Sequence, residues 1–225
     1  MEDYLTDGKL SNEPNVIPLI SGGVRGFLHQ PPGNAQDALI LTHGAGANAQ
    51  APLLVAAASA FARAGILTLR CDLPFRQRKP HGPPSPADAV TDRANLREAV
   101  GQLRALVKGR IFLGGHSYGG RQATMLAAED SSLADALLLF SYPLHPPNQP
   151  DKKRTAHFPQ LRTPVMFIHG IKDPFGSPDE MRAALSLAPA ATSLVLLDRG
   201  GHDLLRGKFD FPSLVIGPFL EFVKR

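Results

Sequence analysis

Ser117 lies in the run Gly114-Gly115-His116-Ser117-Tyr118-Gly119-Gly120. The apolar stretch Ile111-Phe112-Leu113 precedes it, and a helical stretch over 118–129 follows. G-x-S-x-G between a strand and a helix is the context in which a serine is lifted onto a sharp turn with its hydroxyl exposed. Such a turn crowds the positions two before and two after the serine, so glycine is needed there. The helix N-terminus behind Ser117 also offers positive potential to an oxyanion.

A serine hydroxyl is a weak nucleophile and needs a base beside it. In chains built around this turn, an acid and then a histidine follow the serine. Asp173, in His169-Gly170-Ile171-Lys172-Asp173-Pro174, and His202, in Gly200-Gly201-His202-Asp203, each stand just past a strand-like run. His202 is expected to accept the serine proton and later deliver it to a leaving group. Asp173 is expected to hold the imidazole in the right tautomer and to stabilise its cation. Asp198 and Asp203 are rival acids and rank below Asp173. Two backbone N–H groups are expected to receive the oxyanion. Tyr118, directly after the serine, supplies one. The loop His43-Gly44-Ala45-Gly46-Ala47 supplies the other, from Ala45 or alternatively Gly46.

Expected substrate contacts carry less signal. They are Gly46; Phe75 and Arg76, which follow a strand end, with Arg76 facing an anionic group; and Tyr142 and His145, which open a proline-rich stretch. A solvated basic loop competes with the reading of Arg76, and plain packing with that of Tyr142 and His145. His43 and His169 each precede a glycine and are read as serving loop geometry.

The elements that must position these residues alternate. A hairpin is expected between Val16 and Gln30, turning at Gly22-Gly23. Strand-like runs follow at 38–42, 66–70, 111–113, 136–140, 165–168 and 194–197. Helices are expected at 51–63, closed by Gly65, and at 86–108. That second helix has Ser85 as cap, Pro86 in first position and an apolar stripe at Val90, Leu96, Val100, Leu103 and Val107. Further helices are expected at 118–129, at 178–187 behind a capping box at Ser177-Pro178-Asp179-Glu180, and near 212–224, where Gly217-Pro218 predicts a kink. Continuous apolar strands alternating with helices imply an α/β fold: a mostly parallel central sheet, helices on both faces and an N-terminal antiparallel hairpin. One domain over 15–225 is expected, after a flexible tail at 1–14. Residues 141–163 are read as a lid-like excursion over the sheet edge.

Composition narrows the function. The chain has 225 residues, 43% hydrophobic and 20% charged, with formal net charge +4. That is ordinary for one globular domain. The basic runs at Arg76–Lys79 and Lys152–Arg154 come with no nucleic-acid reading module, so no nucleic acid is expected as partner. The acidic start, without an apolar segment behind it, argues against a signal peptide. The longest nearly apolar stretch, Ala51 to Ala62, is too short for a bilayer. A single cysteine, Cys71, permits no intrachain disulfide. A cytoplasmic protein without membrane attachment is expected. No histidine–cysteine spacing suggests a metal, and no glycine loop suggests a phosphate or dinucleotide, so no cofactor is expected.

Together, His43-Gly44-Ala45-Gly46, Gly115-His116-Ser117-Tyr118-Gly119-Gly120, Asp173 and Gly201-His202 resemble the α/β-hydrolase superfamily over residues 36–225. The runs Leu41–Gly46 and Arg70-Cys71-Asp72-Leu73-Pro74-Phe75-Arg76, with Pro83-Pro84-Ser85-Pro86 beyond, resemble a dienelactone-hydrolase-like subgroup. A testis-expressed protein and a subunit of the nonspecific lethal chromatin complex share it. True dienelactone hydrolases use a cysteine where this chain has Ser117, so the dienelactone reaction itself is not expected. The resemblance implies a serine hydrolase acting on a small carboxylic ester or related acyl compound through an acyl-enzyme on Ser117. The short lid favours small or water-soluble substrates. A non-catalytic protein-interaction module on a hydrolase scaffold and an acyltransferase stand as alternatives, and the oligomeric state is open.

Overall fold

A computed structural model describes residues 13–224; most of the expected tail at 1–14 lies outside them. Eight strands form one sheet in the order β1-β2-β4-β3-β5-β6-β7-β8. They are β1 (Asn15–Ser21), β2 (Val24–Gln30), β3 (Ala38–Thr42), β4 (Leu67–Asp72), β5 (Ile111–His116), β6 (Ala136–Phe140), β7 (Val165–Gly170) and β8 (Thr192–Leu197). The Ser21↔Val24 pairing makes β1–β2 the hairpin expected at Gly22-Gly23. β2 runs antiparallel to β4, and every pairing from β4 to β8 is parallel.

The helices are α1 (Pro52–Arg63), α2 (Pro74–Arg78), α3 (Asp88–Arg104), α4 (Tyr118–Glu129), α5 (Pro178–Leu185) and α6 (Gly217–Phe222). Strand side chains alternate between two cores, because successive residues point to opposite faces. Ile40, Leu113 and Leu139 meet Leu96 and Leu103 of α3, Leu126 of α4 and Met181 of α5 on one face. Leu39, Phe112 and Leu138 meet Leu54 and Phe61 of α1 and Phe219 of α6 on the other. Burial on both faces explains why the central strands read as unbroken apolar runs.

Several boundaries differ from the sequence reading. The Asp88 carboxylate accepts the Ser85 amide and hydroxyl, both at 2.7 Å, so Ser85–Ala87 forms a turn and α3 starts at Asp88. Val90 is 65% exposed rather than core, because it falls off the Leu96–Ala99–Val100–Leu103 stripe. The short helix α2 was not expected. The expected kink near Pro218 is a π-helical turn over Pro212–Ile216 that runs into α6, as a proline without an N–H dictates. The capping box of α5 forms as expected, with Ser177 and Glu180 bonding reciprocally. In the 141–163 stretch, Tyr142, Leu144, Phe158 and Leu161 are buried in the core. It is therefore an anchored wall. Among the described residues no helix is long and apolar enough to cross a membrane.

Candidate active site

Parallel strands bring their C-terminal ends to one edge. The loop after β3, the turn after β5 and the loops after β7 and β8 meet there. Ser117 occupies the turn between β5 and α4 with φ 51° and ψ −116°, a region costly for a residue with a Cβ. The turn closes tightly against its neighbours: Gly119 donates to the His43 carbonyl at 3.1 Å, and a Cβ at Gly119 would lie 2.6 Å from that oxygen. The acid and base loops are stitched in the same manner. Lys172 donates to the Gly200 carbonyl at 3.0 Å, and a Cβ at Gly170 would stand 2.3 Å from it.

This packing brings Ser117, His202 and Asp173 into one hydrogen-bonded line. Ser117 Oγ is 2.8 Å from His202 Nε2. His202 Nδ1 is 2.9 and 3.0 Å from the two Asp173 oxygens. A carboxylate only accepts, so Nδ1 carries the proton and Nε2 is free to accept from the serine. The Asp173 side chain is fully buried. Burial works against its charge, but the His202 hydrogen bond, the charge of His202 and the Phe175 amide outweigh it, and the carboxyl titrates below its usual range. Phe175 also stacks on the His202 ring at 4.1 Å. His116 Nε2–H donates to the His202 carbonyl at 2.7 Å. Burial lowers the His116 pKa to about 4, so at neutral pH this strut is uncharged. His169 donates through Nε2 to the Gly176 carbonyl at 2.7 Å and shapes the acid loop.

The loop after β3 is held from two sides. His43 Nδ1–H donates to the Gly44 carbonyl at 2.9 Å, and its Nε2 accepts the Leu73 amide at 3.1 Å. Arg76 donates to the carbonyls of Ala45, Ala47, Lys79 and Gly82 at 2.7–2.9 Å. Ala45 N and Tyr118 N donate to no protein acceptor among the described residues. Tyr118 is fixed by its hydroxyl, which donates to Asp92 Oδ2 at 2.8 Å; Asp92 is fully buried and also accepts the Phe75 amide.

A cavity of about 930 Å³ opens over Ser117 and His202, with Ala45, Gly46, Pro84, Val90, Met125 and Phe175 among its lining. Four expected substrate contacts do not line it. Arg76 is spent on the four carbonyls and is 7% exposed. Phe75 packs in the core edge-on to Tyr118 at 5.6 Å. Tyr142 is buried and donates to the Arg154 carbonyl at 2.6 Å. His145 is buried 3.4 Å from Glu180. The rival acids are elsewhere: Asp198 is exposed, and Asp203 caps its own loop at the Leu205 amide. Reading the sequence missed Phe175 and His116, and it did not place Arg121 and Arg154 in the cavity lining, where both stand. Of these, Arg121 had a usable signal, since it follows Ser117 by one helical turn and so shares its face.

A mostly parallel sheet carrying a serine–histidine–aspartate line at its C-terminal edge is the architecture of the α/β hydrolases. Residues 35–210 match the family described as alpha/beta hydrolase domain. The chain belongs to that family and is by class a hydrolase. A dienelactone hydrolase from Anabaena variabilis ATCC 29413 superposes with TM-score 0.69 at 22% identity, over 93% of this chain and 95% of that one. Est1E from Butyrivibrio proteoclasticus, with ferulic acid bound, superposes with TM-score 0.71 at 18% identity, over 93% and 100%. DcsB in complex with its substrate analogue gives 0.72 at 18% identity, over 94% and 99%.

Proposed function

We propose that the protein hydrolyses small carboxylic esters through an acyl-enzyme on Ser117. The observation that carries the reading is the unbroken line from Ser117 Oγ through His202 to a buried Asp173. In the forward step His202 Nε2 takes the Ser117 proton as Oγ attacks the ester carbonyl carbon. The carbonyl oxygen gains the electron pair and sits before the amides of Tyr118 and Ala45. Collapse of the adduct expels the alcohol, which receives the proton from His202, and leaves Ser117 acylated. Water then attacks the acyl carbonyl carbon, losing its proton to His202; collapse of this second adduct breaks the bond to Ser117 Oγ, which takes the proton back from His202 as the acid departs. Each oxyanion donor contributes on the order of a hundredfold or more in rate.

A small-molecule acyl substrate fits a cavity of about 930 Å³. No step needs a cofactor. A cytoplasmic setting suits a chain whose single thiol, Cys71, is buried and free. Fluorophosphonate labelling and a panel of p-nitrophenyl esters of increasing chain length test the reading. The wild type is expected to be labelled and to favour short chains, and Ser117→Ala to lose both labelling and turnover. Undiminished labelling of Ser117→Ala would overturn it. Release of transfer product in place of acid, with competing alcohols present, would make the protein a transferase instead.

A further inference from the structure

The charged side chains lining the cavity are all arginines: Arg93, Arg121 and Arg154. No aspartate or glutamate lines it among the described residues. The three differ in how far their charge is answered. Arg93 is paired with Glu129 at 3.0 Å and bonds Gln122 Oε1 at 3.0 Å. Arg121 and Arg154 form no ion pair among the described residues. Arg121 Nε is buried with no hydrogen-bond partner. Arg154 makes one long side-chain bond, to the Pro143 carbonyl at 3.3 Å.

These two cations line the same cavity and stand on rigid supports. Burial, and then the charge of Arg121, lower the Arg154 pKa. Arg121 and Arg93 in turn help hold His157 at about 4, behind burial as the main cause, so that imidazole adds no charge of its own at neutral pH. Arg121 stands on α4 one turn after Ser117, about 6 Å along the axis. The Arg154 backbone is tied by its amide to the Leu144 carbonyl at 2.7 Å and by its carbonyl to the Tyr142 hydroxyl. Arg76 shows what an arginine looks like here when its role is structural: four carbonyls saturate it. Two partly buried guanidiniums left without carboxylates repel each other and carry a desolvation cost, and an oxyanion between them relieves both.

Building on the hydrolase reading of Ser117, we infer that Arg121 and Arg154 form an oxyanion subsite and that the substrate is an ester bearing a carboxylate or phosphate a few bonds from its reacting carbonyl. Guanidiniums suit this group because their planar fork matches two oxygens at once. The neutral, apolar remainder of the cavity, with Met125, Val90 and the Pro83–Pro86 wall, then holds the connecting chain.

The test compares mono-p-nitrophenyl glutarate with its neutral methyl ester of the same length. The wild type is expected to favour the anionic ester by about tenfold or more in kcat/KM, chiefly through KM. Arg121→Met and Arg154→Met should each cut that ratio about tenfold, Arg154→Lys should keep part of it, and about 0.5 M sodium chloride should shrink it. A wild-type ratio near one, or a ratio indifferent to both substitutions, overturns the inference while leaving ester hydrolysis standing. If neither ester is cleaved, the hydrolase reading fails, and calorimetric titration with glutarate decides the subsite alone. Binding weakened about tenfold in each Met variant supports it, and no binding, or binding that ignores the arginines, refutes it. Should Arg121→Met fail to fold by thermal melting, the Arg154 variants carry the decision.

Discussion

His202 and His29 are imidazoles held in hydrogen-bonded groups, and they face opposite charges. Behind His202 stands the buried Asp173 carboxylate, and before it the Ser117 hydroxyl. Behind His29 stands Arg70, whose Nε donates to His29 Nε2 at 2.8 Å. That guanidinium is itself fixed, by the Ala49 carbonyl at 2.6 Å and the face of Phe27 at 4.2 Å. Burial, and then Arg70, lower the His29 pKa to about 4. A carboxylate favours an imidazolium beside it, whereas burial together with a guanidinium disfavours one. Side-chain type thus marks neither as a base. The neighbour's charge and the open cavity in front of His202 separate them.

The strongest way to break this contrast is Asp173→Asn. An asparagine amide can donate to Nδ1, which drives the proton onto Nε2 and leaves no acceptor for Ser117. Steady-state hydrolysis should show kcat down by about 10⁴ with KM changed little. Retention of activity within about tenfold would mean that the carboxylate is not what distinguishes the two imidazoles.

Arginines sharpen the same lesson at the next level of effect. Arg76→Met strips four carbonyls of their donor, two of them in the loop expected to bind the oxyanion. Urea unfolding should register a loss of about 3 kcal/mol, less than four separate bonds because part of the loop can relax toward water. Turnover should fall with it, since the Ala45 amide is no longer aimed. A smaller loss follows from Tyr118→Phe, which leaves one oxygen of the buried Asp92 without its donor. About 1–2 kcal/mol of stability should go, again by urea unfolding. The fall in kcat should stay well below that of Asp173→Asn, because phenylalanine keeps the backbone amide.

How much of this was legible beforehand follows from the range of the interactions. The nucleophile turn, the capping box of α5 and the Gly22-Gly23 hairpin are local, and spacing alone reveals them. The order of Ser117, Asp173 and His202 was legible because each follows a strand in a parallel sheet. Arg76 was misread because the four carbonyls that occupy it come from loops 3 to 31 positions away, and no pattern in the chain announces them. Val90 was misread because the apolar stripe begins later than the apolar letters do. Arg154 is visible in the sequence only as part of the basic run Lys152–Arg154; its place in the cavity lining is not, because the proline-rich connection that carries it has no periodicity and is anchored by the packing of Phe158 and Leu161.

The smallest expected effect reaches the comparison through stability. His29 titrates at about 4 in the folded protein, against about 6.5 when unfolded. Between those values the unfolded chain binds a proton that the native state refuses, so stability rises with pH and drains away as pH falls. One such group contributes a slope of up to about 1.4 kcal/mol per pH unit. His116 and His157, also lowered to about 4, act in the same direction and keep part of the slope whatever happens at His29. His29→Gln retains an acceptor for Arg70 and removes the titration. Urea unfolding at pH 6 and pH 5 should therefore give a slope flatter by about 1 kcal/mol per unit than in the wild type. An unchanged slope would mean that burial and Arg70 together do not hold His29 neutral, and the opposition between the two imidazoles would collapse.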